Sequence, residues 1–177
     1  MNDTVRTVQS SRIYSGSINL NKDKFSLNGK VIEKEIVEHQ NSVGIVAIRD
    51  DSVILVTQYR RAADKVLLEI PAGKIENGET PREAAIREMA EEIGYEGNLK
   101  LLLKYYLAPG YSTELMHIFI ATNLREISRG LLDEDENIRR RKIRLSVAIQ
   151  KCLNGKISDA KTIAALLAYY SRSDSIR

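Results

Sequence analysis

Residues 73–95, GKIENGETPREAAIREMAEEIGY, combine a loop with one short and sharply delimited helix. Thr80 and Glu83 have the spacing of a capping box, in which the two residues satisfy each other's backbone N–H groups. Pro81 stands at the first helical position, where its missing N–H costs nothing. Gly94 supplies the C-terminal stop. The stretch therefore predicts a helix between Thr80 and Gly94, and the rest of the chain can be placed around it.

Acidic side chains gather on one face of this helix. Glu88, Glu91 and Glu92 fall at i, i+3 and i+4, a spacing at which like charges repel by roughly 0.2–0.5 kcal/mol per pair. A divalent cation held between these hard oxygen ligands would reverse the sign of that repulsion. The alternative is a solvated acidic face, which is what most charge runs are. A different face is predicted to be buried and carries Ile86, Met89 and Ile93.

Composition limits the class of protein. The chain has 177 residues, 43% of them hydrophobic and 29% charged, which predicts a soluble globular fold. The net charge of +3 is too small to indicate a nucleic-acid partner. No apolar run approaches the roughly 20 residues that span a bilayer, so no membrane partner is expected. Cys152 is the single cysteine, which fits the reducing cytoplasm and predicts a small buried side chain on a late helix.

The hydrophobic pattern predicts a mixed sheet with helices on both faces. Residues 1–41 form a first section, whose strands 17–27 and 30–39 flank the tight-turn pair Asn28-Gly29. Such a small sheet cannot bury a core alone, so it must pack on the rest of the chain or on a second copy. The later strands are predicted at 42–49, 52–59, 65–70, 100–107, 114–121 and 138–143, with a loop at 123–137. The later helices are predicted at 146–153 and from Ser158 or Asp159 to about Tyr170, with Ile163, Leu166, Leu167 and Tyr170 on the buried side.

The full spacing of residues 73–95 resembles the Nudix box, G-x5-E-x7-R-E-U-x-E-E-x-G-U, in which U is aliphatic. Eight of the nine specified positions match, and the departure is Tyr95, where relatives usually carry Ile, Leu or Val. From about Val37 onward the chain also resembles the ADP-ribose pyrophosphatase subgroup. The segments that carry this resemblance are IPAGKIENGE (70–79), LAPGYSTELMHIFIA (107–121), DEDENIR (133–139) and GKISDAKT (155–162).

This resemblance implies an α/β (α+β) fold, namely an α/β/α sandwich around a mixed β-sheet with a small N-terminal β-hairpin section. Residues 1–41 would be the N-terminal β section and residues 42–177 the Nudix hydrolase domain. In this subgroup the N-terminal strands commonly exchange between two subunits. A cytoplasmic homodimer with a small-molecule nucleotide as its substrate is therefore expected.

The resemblance also implies an activity, Mg²⁺-dependent hydrolysis of the pyrophosphate bond of ADP-ribose to AMP and ribose 5-phosphate, with Mn²⁺ as a substitute metal. Glu134 would be the catalytic base on a late loop and Glu92 the second catalytic residue. From one sequence the register of that loop stays open, so Glu134 and Glu136 can exchange roles. The metal would be held by the main-chain carbonyl of Ala72 and by the carboxylates of Glu88, Glu91, Glu92 and Glu136.

Further roles carry over position by position. Glu79 and Arg87 correspond to an ion pair that fixes the loop on the helix, and Arg60 to a residue near the diphosphate. Glu35 lies where relatives contact the adenosine half, whereas His39 and His117 are expected to be structural. The loop that holds the terminal ribose would consist of Ala108, Pro109, Gly110 and Glu114.

Two other functions stay open. One is hydrolysis of a different nucleoside diphosphate derivative, such as another nucleotide sugar, a dinucleoside polyphosphate or an oxidised nucleotide. The other is a non-catalytic Nudix-like module that senses a nucleotide. Modules of that kind tend to lose box carboxylates, and residues 73–95 keep all of them.

Overall fold

The computed structural model describes residues 5–127 and 138–174. Contacts along the chain separate two compact units, Met1–Asn41 with Tyr106–Leu115, and Ser42–Tyr105 with Met116–Arg177. Glu134 and Glu136, predicted from the sequence as base and metal ligand, lie outside the described residues.

The first unit is a three-stranded antiparallel sheet in the order β1-β2-β3. Its strands are β1 (Val5–Ser15), β2 (Asn19–Leu27) and β3 (Lys30–Glu38). Asn28 and Gly29 both adopt positive φ angles, 52° and 80°, as a two-residue hairpin turn requires, so the predicted turn is confirmed. Every residue of β1 is exposed, which leaves this strand without a packed face.

The second unit contains a seven-stranded sheet in the order β10-β5-β4-β9-β8, with β6 beside β5 and β7 beside β4. Its strands are β4 (Ser42–Arg49), β5 (Ser52–Arg60), β6 (Lys65–Glu69), β7 (Ala72–Lys74), β8 (Tyr95–Tyr106), β9 (Leu115–Glu126) and β10 (Arg139–Arg144). β4 pairs parallel with β9 and antiparallel with β5 and β7. The sheet is therefore mixed, as the sequence predicts.

The helices of the second unit are α1 (Pro81–Glu88), which continues into a π-helical turn (Met89–Ile93), α2 (Leu145–Leu153) and α3 (Ala160–Asp174). The core on the α1 side joins the sheet to Ala85, Met89 and Ile93. Successive side chains of a strand point to opposite faces of the sheet, so Val46 of β4 and Leu55 of β5 point away from α1. Both are fully buried as well. α2 contacts β5 and α3 contacts β4. Both faces of the central strands are thus covered.

The start of α1 follows the sequence prediction. The Glu83 N–H donates to Thr80 Oγ1 at 3.3 Å, and the Thr80 N–H donates to Glu83 Oε2 at 2.8 Å, which completes the capping box. The Glu83 carboxylate also accepts from the Thr80 hydroxyl at 2.7 Å, and this bond and the one from the Thr80 N–H hold the pKa of the carboxyl below its usual range. At the other end Gly94 is left-handed, with φ 69°, and terminates the helix as predicted.

Several details differ from the sequence prediction. β8 begins at Tyr95, five residues before the predicted strand 100–107, and the short strand β7 was not predicted. Ile86 is 46% exposed, because the buried face of the helix runs through Ala84 and Ala85 instead. Tyr170 is exposed as well, and Thr162 and Ala165 are buried on α3 in its place. β9 continues to Glu126, although turn-forming residues predict a loop from residue 123. Asn123 accommodates this continuation with a positive φ of 53°.

Cys152 lies buried on α2, as predicted, and burial raises the pKa of its thiol. Within residues 5–127 and 138–174, no helix has the length and hydropathy needed to cross a membrane.

Replacing Thr80 with Ala removes the side-chain acceptor of the capping box. We expect the free energy of unfolding to fall by about 1 kcal/mol, the usual cost of losing such a cap. Urea denaturation followed by circular dichroism measures this, and Thr80→Ser, which keeps the hydroxyl, is the control. Equal stability of the Ala variant and the parent would contradict a stabilising role for the cap.

Candidate active site

Arg87 is the centre of the candidate site. Its Nε and Nη2 donate to the two carboxylate oxygens of Glu79 at 2.9 and 3.1 Å, and Nη2 also donates to the main-chain oxygen of Lys74 at 3.0 Å. Its Nη1 donates to Glu88 at 2.8 Å and to Glu91 at 3.1 Å. These five bonds match the five N–H donors of a guanidinium. One side chain therefore joins the loop after β7 to the carboxylates of the helix.

Arg87 and Glu79 form an ion pair in which each group shifts the pKa of the other. Hydrogen bonds to Glu79, and then to Glu88 and Glu91, raise the pKa of Arg87 above its ordinary value. The Arg87 guanidinium in turn holds the pKa of the Glu79 carboxyl below its usual range. The loop is thus fixed on the helix by groups that stay charged at neutral pH.

Glu88 and Glu92 face the main chain of the loop. Glu92 is only 4% exposed and accepts a hydrogen bond from the Ala72 N–H at 2.9 Å. Ala72 and Gly73 pair with β4, and the preceding Pro71 accepts a hydrogen bond from the Ile45 N–H at 2.9 Å, so the loop has a fixed position on the sheet. A solvated acidic face is therefore the wrong description of Glu92, although Glu91 is 41% exposed.

Gly73 is required by the close approach of Glu88. A Cβ built on Gly73 would lie 1.8 Å from Glu88 Oε1 and 2.0 Å from Glu88 Cδ. No side chain fits there unless the carboxylate moves. The glycine thus lets a carboxylate rest directly on the main chain beside the Ala72 carbonyl.

This donor set suits a divalent cation of the Mg²⁺ type. Every candidate ligand is an oxygen, and the carboxylates of Glu88 and Glu92 lie against the main chain that carries the Ala72 carbonyl. Over the ranges that the structure describes, no three acidic, histidine or cysteine side chains form a complete cage. Mg²⁺ typically keeps several waters and takes few protein oxygens, so an incomplete cage fits it.

Arg60, at the end of β5, is held by the buried carboxylate of Glu69 and interacts electrostatically with Glu92. Its Nε and Nη2 donate to the two oxygens of Glu69 at 2.9 and 2.7 Å. Because the guanidinium pairs through its Nε and Nη2 edge, Nη1 takes no part in the bidentate bond to Glu69. The Arg60 side chain is 40% exposed. Hydrogen bonding to Glu69 raises the pKa of Arg60, and the charge of Glu92 adds to that effect. Arg60 thus offers a fixed positive charge in the electrostatic field of Glu92.

The start of α3 contacts the same region. Lys161 Nζ forms ion pairs with Glu69 and, at 3.0 Å, with Asp159. The Asp159 carboxylate caps the helix by accepting from the Thr162 N–H at 3.0 Å. Thr162 Oγ1 accepts from the Ile70 N–H at 2.8 Å. Burial opposes ionisation of Glu69, but Arg60 and Lys161 outweigh it and hold the Glu69 pKa below its usual range.

Tyr95, the departure from the family pattern, packs well. It is buried in the core on the α1 side, and Arg49 donates to its hydroxyl at 2.7 Å. The guanidiniums of Arg49 and Arg140 lie 5.4 and 5.1 Å from the ring centroid, within cation–π range. Tyrosine brings a polar hydroxyl into the core, which an aliphatic residue would not, and the hydrogen bond from Arg49 offsets the cost of burying it.

Both flanks of residues 128–137 are attached to the end of the helix. The Ile127 N–H donates to the Gly94 oxygen at 3.0 Å, and Arg140 Nη1 donates to the Ile93 oxygen at 2.9 Å. Arg140 also pairs with Glu126 at 2.8 Å.

The other predicted substrate residues belong to the first unit. Glu35 is exposed on β3. Ala108 accepts from the N–H groups of Tyr111 and Ser112, so residues 108–112 form a tight turn. Glu114 lies 3.8 Å from His39 Nδ1. The structure thus gathers Glu35, the turn and Glu114 in one unit, and the carboxylates with Arg60 in the other.

Sequence reasoning missed Glu69, Lys161 and Thr162. Glu69 carries a local signal, because it is a lone charge between apolar residues in VLLEIP. Lys161 and Thr162 lie in the GKISDAKT segment, but a contact across 92 residues leaves no periodic pattern in the chain.

The chain is similar to known proteins over most of its length. A family model described as the NUDIX domain matches residues 38–166. The chain is 37% identical over 167 residues to a methanol dehydrogenase activator of Bacillus methanolicus, covering 91% of this chain and 90% of the relative. It is 36% identical over 166 residues to the ADP-ribose pyrophosphatase of Bacillus subtilis (strain 168), with the same two coverages. A crystal structure described as an ADP compounds hydrolase superposes with a TM-score of 0.84 at 25% identity, covering 97% of this chain and 95% of the other.

Replacing Gly73 with Ala should displace the Glu88 carboxylate, since the added methyl occupies its position. We expect Mn²⁺ affinity, measured by isothermal titration calorimetry, to fall by roughly tenfold or more, the scale of misplaced metal ligands. Gly110→Ala is the control, because it adds the same methyl at a glycine that is outside the positive-φ region and has no atom within 4 Å of the new Cβ. Unchanged Mn²⁺ affinity in the Gly73 variant would remove Glu88 from the metal site.

Proposed function

The chain belongs to the NUDIX domain family, and from this we propose that it hydrolyses the pyrophosphate bond of ADP-ribose to AMP and ribose 5-phosphate. The arrangement that carries the proposal is the set of carboxylates on the helix, tied by Arg87 to the loop that presents the Ala72 carbonyl. Relatives named ADP-ribose pyrophosphatase favour this substrate within the family.

Hydrolases of this family generally need a divalent metal ion, and Mg²⁺ is our proposal here, with Mn²⁺ as a substitute. Glu88, Glu92 and the Ala72 carbonyl would hold it, with Glu91 as a direct or water-mediated ligand. When bound, Mg²⁺ neutralises phosphate charge and acidifies water. Arg87 donates hydrogen bonds to Glu88 and Glu91 and so holds these carboxylates close together despite their mutual repulsion.

Arg60 is our candidate for the diphosphate. Its bidentate bond to Glu69 fixes the guanidinium, and the remaining Nη1 can donate to a phosphate oxygen. A positive charge here offsets the repulsion that a nucleophile meets at an anionic phosphorus. The turn of residues 108–110 and Glu114 would hold the terminal ribose, and Glu35 the adenosine half.

The proposed base is Glu134, with Glu136 as a further metal ligand. Support comes from the flanks of their segment, which Ile127 and Arg140 attach to the last residues of the carboxylate-bearing helix. In the proposed step the base takes a proton from water, the water oxygen bonds to one phosphorus, and the bridging P–O bond breaks. The bridging oxygen leaves with the second phosphate, so the two monophosphates are the products.

A homodimer is proposed to form through the first unit. β1 exposes large apolar side chains, Val5, Val8, Ile13 and Tyr14, which a second copy of the chain would cover. A cytoplasmic location stays a prediction from the single cysteine.

The direct test is a turnover panel with Mg²⁺ and Mn²⁺. It compares ADP-ribose with GDP-mannose, ADP-glucose, a dinucleoside polyphosphate and an oxidised nucleoside triphosphate, by chromatography of the products. ADP-ribose should give the highest kcat/KM. A higher value for another compound would replace the substrate, and binding without turnover in either metal would favour a nucleotide-sensing module.

Glu92→Gln should abolish metal-dependent hydrolysis and leave the fold intact. The amide oxygen can still accept from the Ala72 N–H, so the loop keeps its position while the charge is lost. Product release and circular dichroism measure the two effects. Glu96→Gln, an exposed neighbour beyond the helix, is the matched control. Near-normal turnover of Glu92→Gln at saturating Mg²⁺ would refute the metal assignment.

Glu134→Gln should lower kcat by roughly 10²-fold or more with little change in substrate affinity, because general-base catalysis typically contributes 10²–10⁴-fold. Single-turnover kinetics and a separate binding measurement distinguish the two terms. Glu136→Gln is the companion variant. If it shows the large loss in kcat and Glu134→Gln does not, the two glutamates exchange roles.

A further inference from the structure

The first turn of α3 reaches two different parts of the candidate site with adjacent residues. Lys161 binds the Glu69 carboxylate, and Thr162 binds the main chain at Ile70. A third contact, from the Tyr105 hydroxyl to the Lys161 main-chain oxygen at 3.1 Å, fixes this turn against β8. The Asp159 cap holds both residues, since it accepts from Lys161 Nζ and from the Thr162 N–H and hydroxyl.

One connection leads toward the substrate. Glu69 is 1% exposed and shares its charge between Lys161 and Arg60. Arg60 is more exposed and has Nη1 outside the bond to Glu69. Without Lys161, Arg60 would be the one remaining cation paired with the buried Glu69 carboxylate in this contact. The Arg60 guanidinium would then attract a bound anion less strongly. We call the path from Lys161 through Glu69 to Arg60 the substrate arm.

The other connection leads toward the metal ligands. Thr162 Oγ1 holds the Ile70 N–H, and two residues later the Ala72 N–H donates to Glu92 at 2.9 Å. Pro71 between them accepts from the Ile45 N–H, so each residue of this short stretch is fixed on a different element. The orientation of the Ala72 peptide, whose carbonyl is the proposed ligand, depends on these bonds. We call the path from Thr162 through Ile70 to Ala72 the metal arm.

We propose that Lys161 and Thr162 are positioning residues for the reaction, Lys161 for the substrate diphosphate through Arg60 and Thr162 for the metal through Ala72. This inference rests on the proposed function and deepens it. Neither residue touches substrate or metal. A purely structural role would make the two residues act alike, whereas separate arms make their effects different.

Two binding measurements on the full chain separate the arms. Isothermal titration calorimetry gives the Kd of ADP-ribose without metal, in EDTA, and the Kd of Mn²⁺ without nucleotide. Lys161→Met should weaken ADP-ribose binding roughly tenfold, the scale of a hydrogen bond to a charged group, and leave Mn²⁺ binding unchanged. Thr162→Val should weaken Mn²⁺ binding roughly tenfold or more, the usual effect of groups that orient metal ligands, and leave ADP-ribose binding unchanged.

Two conservative variants and one substitution outside the two arms serve as controls. Lys161→Arg and Thr162→Ser should restore most of the respective affinity, and Lys156→Met removes an exposed lysine of the preceding turn without touching either arm. Thr162→Ala replaces the valine variant if the latter does not fold. In turnover assays Lys161→Met should raise KM, and Thr162→Val should raise the Mg²⁺ concentration needed for half-maximal rate.

Similar losses of both affinities in both variants would overturn the inference, because the helix turn would then be only a structural clamp. Unchanged affinities in both variants would overturn it as well. A parent protein that binds ADP-ribose and Mn²⁺ but releases no AMP would refute the proposed function, while the two affinities would still decide between separate arms and a clamp.

Discussion

The guanidinium of Arg87 is the constraint on which the candidate site depends. Carboxylates in a partly buried cluster are costly, since desolvation and mutual repulsion both disfavour the charged forms. Arg87 meets that cost with a complete set of five hydrogen bonds, shared among Glu79, Glu88, Glu91 and the Lys74 oxygen. The same bonds attach the loop to the helix. One side chain therefore provides both the electrostatic relief and the loop geometry.

Much of the fold follows from local rules. The capping box at Thr80, the left-handed stop at Gly94 and the Asn28-Gly29 turn all have backbone conformations that their residue types dictate. The π-helical turn of residues 89–93 was not predictable in this way. Patterns of helix faces assume 3.6 residues per turn, and one wider turn leaves no mark on them. Ile86 was assigned to the buried side by the same assumption.

The site was predictable where its residues are close in the chain, and not elsewhere. Residues 73–95 contain the glycine, the arginine and the glutamates, and their spacing resembles the Nudix box, which implies that they share one site. The partners of Glu69 come from β5 and α3, and only the fold brings these together. Tyr95 shows a related limit. Its environment includes Arg49 and Arg140, which long-range pairing supplies and a family pattern does not list.

The amino-terminal sheet takes part of its structure from far along the chain. Tyr111 and Thr113 exchange main-chain hydrogen bonds with Val37, at 2.7 and 3.0 Å, so the unit of residues 1–41 is completed only by residues 106–115. On a ribosome the first strands must therefore wait until about residue 115 has emerged before they gain these bonds. Most of the second unit's sheet has been synthesised by then. A chain stopped just before that point would carry an unfinished amino-terminal unit with exposed strand edges, a species that invites association with its neighbours.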